Sequence, residues 1–281
     1  MARGRRILDL RFDVLSEKSY MECPDSDRVK QGRRLLHCFD RYPRVFVGLT
    51  SQHLECVTVQ GPRFSDVITA CEKLIDLSLC PLQLWKGDCA NDATRAAQRD
   101  KPRIWIQPET PTHLAPILRN LTFMDVNRIH PNSGIIWTLF LLEAAPLLKI
   151  LSIMVTDHHC VPLEEELLER MFICEKNNIN WEPSNFKHNN LTKLIIYGFR
   201  PENRFMSYIR RVMKAAVNLD EISLHDDRCE ICESYYPITR YPHTKKERDL
   251  VKRAINEGRT SPIKSIHFFH TSEARTIKII D

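Results

Sequence analysis

LLEAAPLLKILSI at residues 141–153 and VMKAAVNLDEISL at residues 212–224 are the stretches that decide the fold. The second begins 71 positions after the first, and both join a pair of alanines to an aliphatic pattern of the type L-x-x-L-x-L. VITACEKLIDLSL at residues 67–79 fits the same frame, with Ala70 and Cys71 in place of the alanine pair. Each stretch predicts a short helical segment that leads directly into a strand.

The L-x-x-L-x-L hexad, with any aliphatic or aromatic residue at the L positions, recurs along the chain. From residue 121 onward the intervals are 27, 43, 28 and 44, which gives a super-period of 70 to 72 residues. A strand with apolar positions 1, 4 and 6 buries one face and exposes positions 3, 5 and 7. One such unit cannot cover its own apolar face, so successive units must stack. The hexads begin at Leu54, Leu74, Leu121, Leu148, Leu191, Leu219 and Ile263.

The pattern predicts an α/β leucine-rich-repeat solenoid, with a curved parallel sheet inside and helices or loops on the convex side. We expect a single domain over 1–281 with six or seven irregular units. It has a divergent N-terminal part at 1–50, recognisable repeats at 51–269, and a tail or cap at 270–281. The sequence Asn-Leu-Thr occurs at Asn120 and at Asn190, 70 positions apart, and is interpreted as one repeat position seen twice.

The longer intervals predict excursions from the regular unit. Residues 162–177 begin with proline and acidic residues and predict a helix, as do residues 245–257, which Gly258 ends. Residues 87–102 are polar and predict a loop. Standard leucine-rich repeats carry Asn or Cys three positions after the last leucine. This chain instead has Ile129, Thr156, Phe199 and Asp227 there.

The composition favours an intracellular protein, located in the cytoplasm, the nucleus or both. Forty-one basic and thirty-six acidic side chains give a net charge of only +5, without the concentrated basic face typical of nucleic-acid readers. The longest apolar stretch, residues 134–142, is about half of a membrane span. We expect the ten cysteines to be mostly reduced and buried.

No catalytic motif assembles, and we expect neither an enzyme nor a bound cofactor. The sequence has no phosphate-binding glycine loop, no G-x-S-x-G and no H-E-x-x-H. Cys160 and Cys229 lie about one super-period apart, so a zinc site remains open as a minor alternative. Its candidate ligands are His158 or His159, Cys160, Cys229 and Cys232.

Four phrases resemble the leucine-rich-repeat region of grass F-box proteins. They are IWIQPETPTHLAPILRNL (104–121), WTLFLLEAAPLLKIL (137–151), WEPSNFKHNNLTKLIIYGF (181–199) and RRVMKAAVNLDEISLHD (210–226). In that family an F-box docks on a Skp1-type adaptor of a ubiquitin ligase, and the repeats select the target. This sequence contains no segment that looks like an F-box. The resemblance therefore implies target binding, with adaptor binding only if an F-box lies upstream in a longer product.

The expected function is non-enzymatic protein binding through the concave strand face, in the manner of a substrate-recognition module. Two alternatives stay open: a nucleic-acid-associated protein, suggested by the basic cluster at 3–6 and by Arg210 and Arg211, and a truncated product without ligase recruitment. The candidate partner-binding side chains are Asp125, Asn127, Ser152, Met154, Lys193, Tyr197, Glu221, His225, Ser265, His267 and Phe269.

Overall fold

The fold is described from a computed structural model of the chain. The described residues are 11–14, 25–55, 57–60, 63–80, 83–85, 115, 118–129, 135–155, 185–226, 241–257, 263 and 265–270. The helix predicted at 162–177, the loop at 87–102 and the basic cluster at 3–6 lie outside these ranges.

Eight parallel strands form one sheet, and their order in space is their order along the chain. Two further short strands, β3 (Thr58–Gln60) and β5 (Gln83–Trp85), form a separate parallel pair. The α/β class and the single parallel sheet agree with the prediction, although the sheet holds eight strands over the described residues where six or seven units were expected. The strands of the sheet are β1 (Arg11–Val14), β2 (Ser51–Glu55), β4 (Asp76–Cys80), β6 (Phe123–Ile129), β7 (Ile150–Val155), β8 (Lys193–Tyr197), β9 (Glu221–His225) and β10 (Ser265–Phe269).

Helices occupy several of the connections between these strands. The helix predicted at 245–257 is present at Lys245–Asn256, and it begins with a capping box in which Thr244 and Glu247 satisfy each other's backbone N–H groups. Pro43 opens a short helix at Pro43–Val47 because its fixed φ suits the first turn of a helix. The helices are α1 (Asp25–Arg41), α2 (Pro43–Val47), α3 (Arg63–Ala70), α4 (Leu139–Ala144), α5 (Asn203–Ala215) and α6 (Lys245–Asn256).

Equivalent hexad positions pair across the sheet and build the core. Met124, Leu151, Leu194 and Ile222 occupy one row from β6 to β9 and are 0% exposed. Fully burying an aliphatic side chain of this size contributes roughly 1.5–3 kcal/mol. A second buried row follows two residues later on each strand: Val126, Ile153, Ile196 and Leu224.

The hexad predicted to begin at Leu54 was assigned in the wrong frame. Leu54 pairs with Leu79, which is the sixth position of its hexad, so the β2 hexad begins at Leu49. Gln52 stands at the fourth position, where the pattern requires an apolar residue, and it is buried at 1% exposure. This polar residue on the inner face concealed the true frame.

Three asparagines join neighbouring units at equivalent positions. Each immediately precedes the first leucine of a hexad and donates its side-chain amide to a backbone carbonyl of the preceding unit. The two Asn-Leu-Thr sequences therefore occupy the same structural position, as predicted, and Asn218 occupies it a third time. The bonds run from Asn120 to Glu72 (2.7 Å), from Asn190 to Pro146 (2.8 Å) and from Asn218 to Asn189 (2.7 Å).

His188 links the two alanine pairs that precede β7 and β9. Its Nε2 donates to the Ala145 carbonyl at 2.9 Å, while Nδ1 accepts from the Leu191 N–H at 3.0 Å. The His188 backbone pairs with Ala216 of the following unit. Burial lowers the pKa of His188, although the bond to Ala145 acts in the opposite direction.

Candidate functional site

The candidate residues of the strands lie on the sheet face opposite the core. We call this surface the outer face; it consists of hexad positions 3, 5 and 7 of β6 to β10. Side chains alternate along a strand, so these positions point away from the buried rows. The first row is Phe123, Ile150, Lys193, Glu221 and Ser265; the second is Asp125, Ser152, Ile195, Ser223 and His267; the third is Met154, Tyr197, His225 and Phe269, with Asn127 on β6 where the register shifts.

Sequence reasoning missed several members of these rows. Phe123, Ile150, Ile195 and Ser223 occupy the same positions as the candidates, and the 3-5-7 rule would have found them. On β2 and β4, His53 and Ser78 continue the row that contains Asp125. The misassigned β2 frame concealed His53.

Two candidates expected to be exposed are buried. Ser152 is 3% exposed and His225 is 4% exposed. Ser152 has a short side chain and hydrogen-bonds to Asp125 on the neighbouring strand. His225 lies between larger rings on both sides. Strand alternation gives the direction of a side chain, but the neighbouring strands decide whether water reaches it.

Asp125 is the hydrogen-bonding centre of the outer face. Ser78 donates to its Oδ2 at 3.3 Å, Asn127 donates to the same oxygen, and Ser152 bonds to the carboxylate as well. Burial raises the pKa of Asp125; these three hydrogen bonds and the nearby His53 act in the opposite direction without cancelling it. The site is thus a half-buried acceptor whose negative charge is incompletely compensated.

Tyr197, His225 and Phe269 form an aromatic stack along the third row. The Tyr197 and His225 ring centres are 4.4 Å apart, and those of His225 and Phe269 are 4.7 Å apart with an interplanar angle of 17°. Register causes this contact, because the three residues pair directly across β8, β9 and β10. Tyr197 and Phe269 at the two ends of the stack are partly exposed, whereas His225 between them is buried.

The environment of His225 favours its neutral form. Burial lowers the pKa of His225 to about 4, and the charge of Lys193 acts in the same direction. Its Nδ1 is buried without a hydrogen-bond partner among the described residues. His225 is therefore an uncharged ring within the stack under neutral conditions.

Lys193 and Glu221 form an ion pair in the first row. Their charged atoms are 2.8 Å apart, and both side chains are about one-third exposed. Burial acts to raise the pKa of Glu221, but the bonds to Lys193 and Ser223 outweigh it, so the pKa is lowered overall. His267, next in the second row, is exposed as expected.

The outer face combines the hydrogen-bonded carboxylate of Asp125 with an aromatic stack two to four strands away. Within the described ranges no group of three or more His, Cys, Asp or Glu side chains is arranged to hold a metal ion. The proposed zinc ligands His158, His159, Cys160, Cys229 and Cys232 lie outside those ranges.

Comparisons with known proteins leave the family open. A scan against protein-family models gives no match to this chain. A search of curated proteins gives no match either. In the part of the chain that the structure describes, no helix combines the length and apolar character needed to cross a bilayer.

Proposed function

We propose that this chain is a leucine-rich-repeat solenoid that binds a partner protein through its outer face. The supporting observation is the set of three in-register rows that run across adjacent strands of the outer face and place Lys193, Asp125, Tyr197 and Phe269 on one surface. Tyrosine and other aromatic residues are enriched at the centres of protein interfaces.

The sequential strand order supports the solenoid interpretation. In a solenoid each unit contacts only its neighbours, and the side chains of one strand face form an extended surface. The repeated asparagine bonds of Asn120, Asn190 and Asn218 join successive units in the same way. From the resemblance to grass F-box proteins we further propose that the partner is a target selected for ubiquitination. A Skp1-type adaptor would be recruited only by a chain that also carries an F-box.

The nucleic-acid alternative has less support. Arg210 donates to the Ala254 carbonyl at 2.9 Å and pairs with Glu257 at 3.2 Å, so it joins α5 to α6. A guanidinium used in this way is less available to a phosphate. Salt-sensitive binding of the purified chain to nonspecific DNA or RNA would revive this alternative.

Quantitative capture from cell extract with matched variants tests the proposed function. The wild-type chain, a Phe269→Ala outer-face variant and a Lys214→Ala variant at an exposed position of α5 would be immobilised in parallel. We expect a set of proteins captured by the wild type and by Lys214→Ala but reduced at least about tenfold with Phe269→Ala, as for an interface hot spot. Capture that is equal for all three folded proteins would refute binding through this face.

A further inference from the structure

The sheet face that contains the outer face continues onto β1, β2 and β4. Direct pairing extends the second row from Asp125 to Ser78, His53 and Asp13. Each outward side chain that the structure describes on β1, β2, β4 and β6 is at least partly exposed. On β7, β8 and β9, by contrast, four outward side chains are buried: Ser152, Ile195, Ser223 and His225. The N-terminal part of this face is therefore more accessible to a partner than its centre.

Each of these four N-terminal strands carries one carboxylate on the accessible face. The residues are Asp13 on β1, Glu55 on β2, Asp76 on β4 and Asp125 on β6, and together they are called the acidic surface. Arg11, which pairs with Asp13 at 2.9 Å, is the only lysine or arginine among the outward side chains described on these strands. The whole chain has 41 basic and 36 acidic side chains. The acidic surface therefore has the opposite sign from the protein that carries it.

The C-terminal part of the face is aromatic and carries no excess charge. Lys193 and Glu221 compensate each other, with their charged atoms 2.8 Å apart. Tyr197 and Phe269 keep part of their surface exposed to solvent. The strand order places β4 and β9 four strand spacings apart, or roughly 19 Å. About six residues of extended chain cover this distance, so one short segment of a partner can contact both parts of the face.

The arrangement of the acidic surface fits an extended, multiply charged occupant. Asp76 lies in the first row, Asp13 and Asp125 in the second, and Glu55 in the third, so the four carboxylates do not converge on one point. A segment with several lysine or arginine side chains can meet separate carboxylates with separate cations. Asp125 gains from such a cation, because burial raises its pKa and disfavours its charged form. Complementary charge across an interface also fixes register and speeds encounter.

We propose that the partner protein binds with a segment that runs across the strands in one direction, an inference that rests on the proposed function. Its lysine or arginine side chains lie over the acidic surface, and its apolar side chains lie against the exposed parts of Tyr197 and Phe269. The aromatic end supplies contact area, whereas the acidic end supplies orientation. A reversed segment would place cations over the neutral stack and apolar side chains over carboxylates, so the face selects one direction.

Selection of phage-displayed peptides on the immobilised full chain tests the inference, with random peptides of about 16 residues that are long enough to span both parts of the face. We expect selected peptides to carry lysine or arginine clustered in one half and apolar residues in the other. The double variant Glu55→Gln/Asp76→Asn should bind a selected peptide at least about fivefold more weakly than the wild type. The matched control is Glu72→Gln/Asp249→Asn, which removes the same charge from exposed carboxylates away from this face and should bind the peptide like the wild type.

Photochemical cross-linking of the selected peptide to the wild-type chain tests the direction without any variant of the protein. A benzophenone side chain would be placed either within the basic cluster of the peptide or within its apolar cluster, and the attachment sites would be mapped by mass spectrometry. We expect the basic cluster to attach to β1, β2, β4 or β6 and the apolar cluster to attach to β8, β9 or β10. Attachment in the opposite order, or of both clusters to the same part of the face, would refute the inference.

The outcomes separate this inference from the proposed function. If selected peptides lose binding with Phe269→Ala but carry no basic cluster and bind Glu55→Gln/Asp76→Asn as tightly as the wild type, the directional segment is refuted and the binding face stands. If the wild type yields no peptide whose binding depends on any outer-face residue, both proposals are refuted.

Discussion

The two faces of β8 differ in exposure at the ends of the strand. Leu194 and Ile196 face the core and are 0% exposed, whereas Lys193 and Tyr197 lie on the outer face and are partly exposed. The inner positions are filled by aliphatic side chains from strand to strand, while the outer positions change from aspartate to serine, isoleucine and histidine. The comparison indicates that the inner face carries stability and that the outer face is open to solvent at Lys193 and Tyr197, although Ile195 between them is buried.

The largest expected difference between the faces comes from truncating neighbours on β8. Leu194→Ala should lower the free energy of unfolding by about 2–5 kcal/mol, because it removes buried methyl groups and leaves a cavity. Lys193→Ala, one residue away, should cost less than about 1 kcal/mol. Urea titration followed by circular dichroism measures both. Equal losses would contradict the division of roles between the faces.

His225 is an exception to this division, because it lies on the outer face and is nevertheless buried. With an ordinary histidine pKa near 6.5 in the unfolded chain and a pKa of about 4 when folded, the unfolded state binds the extra proton first. The contribution of neutral His225 to the free energy of unfolding is fully present above about pH 6.5 and is lost as pH falls from there towards 4. Between pH 7.5 and 5 the wild type should lose about 1–2 kcal/mol through this group.

His225→Phe provides the matched measurement. Phenylalanine can keep the stack with Tyr197 and Phe269 but cannot titrate. Unfolding of the variant should depend less steeply on pH over the same window, with the remaining slope due to groups common to both proteins, including His188. Parallel pH profiles for the two proteins would show that His225 is not held neutral by the fold.

Much of the sheet could be predicted because aliphatic residues recur at fixed positions of each hexad. Leucine and isoleucine at hexad positions gave the strands, and Asn-Leu-Thr marked equivalent positions at Asn120 and Asn190. The β2 frame failed because Gln52 is a polar residue in an apolar row. Local spacing cannot distinguish such a residue from a surface position.

The environment of the candidate site was less predictable than its position. His225 is buried by Tyr197 and Phe269, which lie 28 positions before it and 44 after it in the sequence. His188 bonds to the Ala145 carbonyl from a stretch, FKHNN, that has no apolar periodicity. These contacts depend on register between distant strands, and register appears only when the sheet is assembled.

A smaller effect is expected where neighbouring units are joined at their edges. Asn190→Ala removes the bond to the Pro146 carbonyl and should cost about 1 kcal/mol. Asn189→Ala is the control, because the side chain of Asn189 makes no hydrogen bond to the described residues and its backbone carbonyl, which accepts from Asn218, is retained. Thermal unfolding of the two variants measures the difference. A loss as large for Asn189→Ala would show that the asparagine bonds between units add nothing.

The smallest effect is expected for the ion pair on the outer face itself. Lys193 and Glu221 are 2.8 Å apart, but each side chain is about one-third exposed, so water screens their attraction. A double-mutant cycle with Lys193→Met and Glu221→Gln should give a coupling of about 0.5 kcal/mol that shrinks as salt is added. A coupling above about 2 kcal/mol would mean that this ion pair contributes strongly to the stability of the sheet. Lys193 and Glu221 would then be required for folding. A weak coupling leaves these charges free to be arranged for a partner, which is the condition that recognition through the outer face requires.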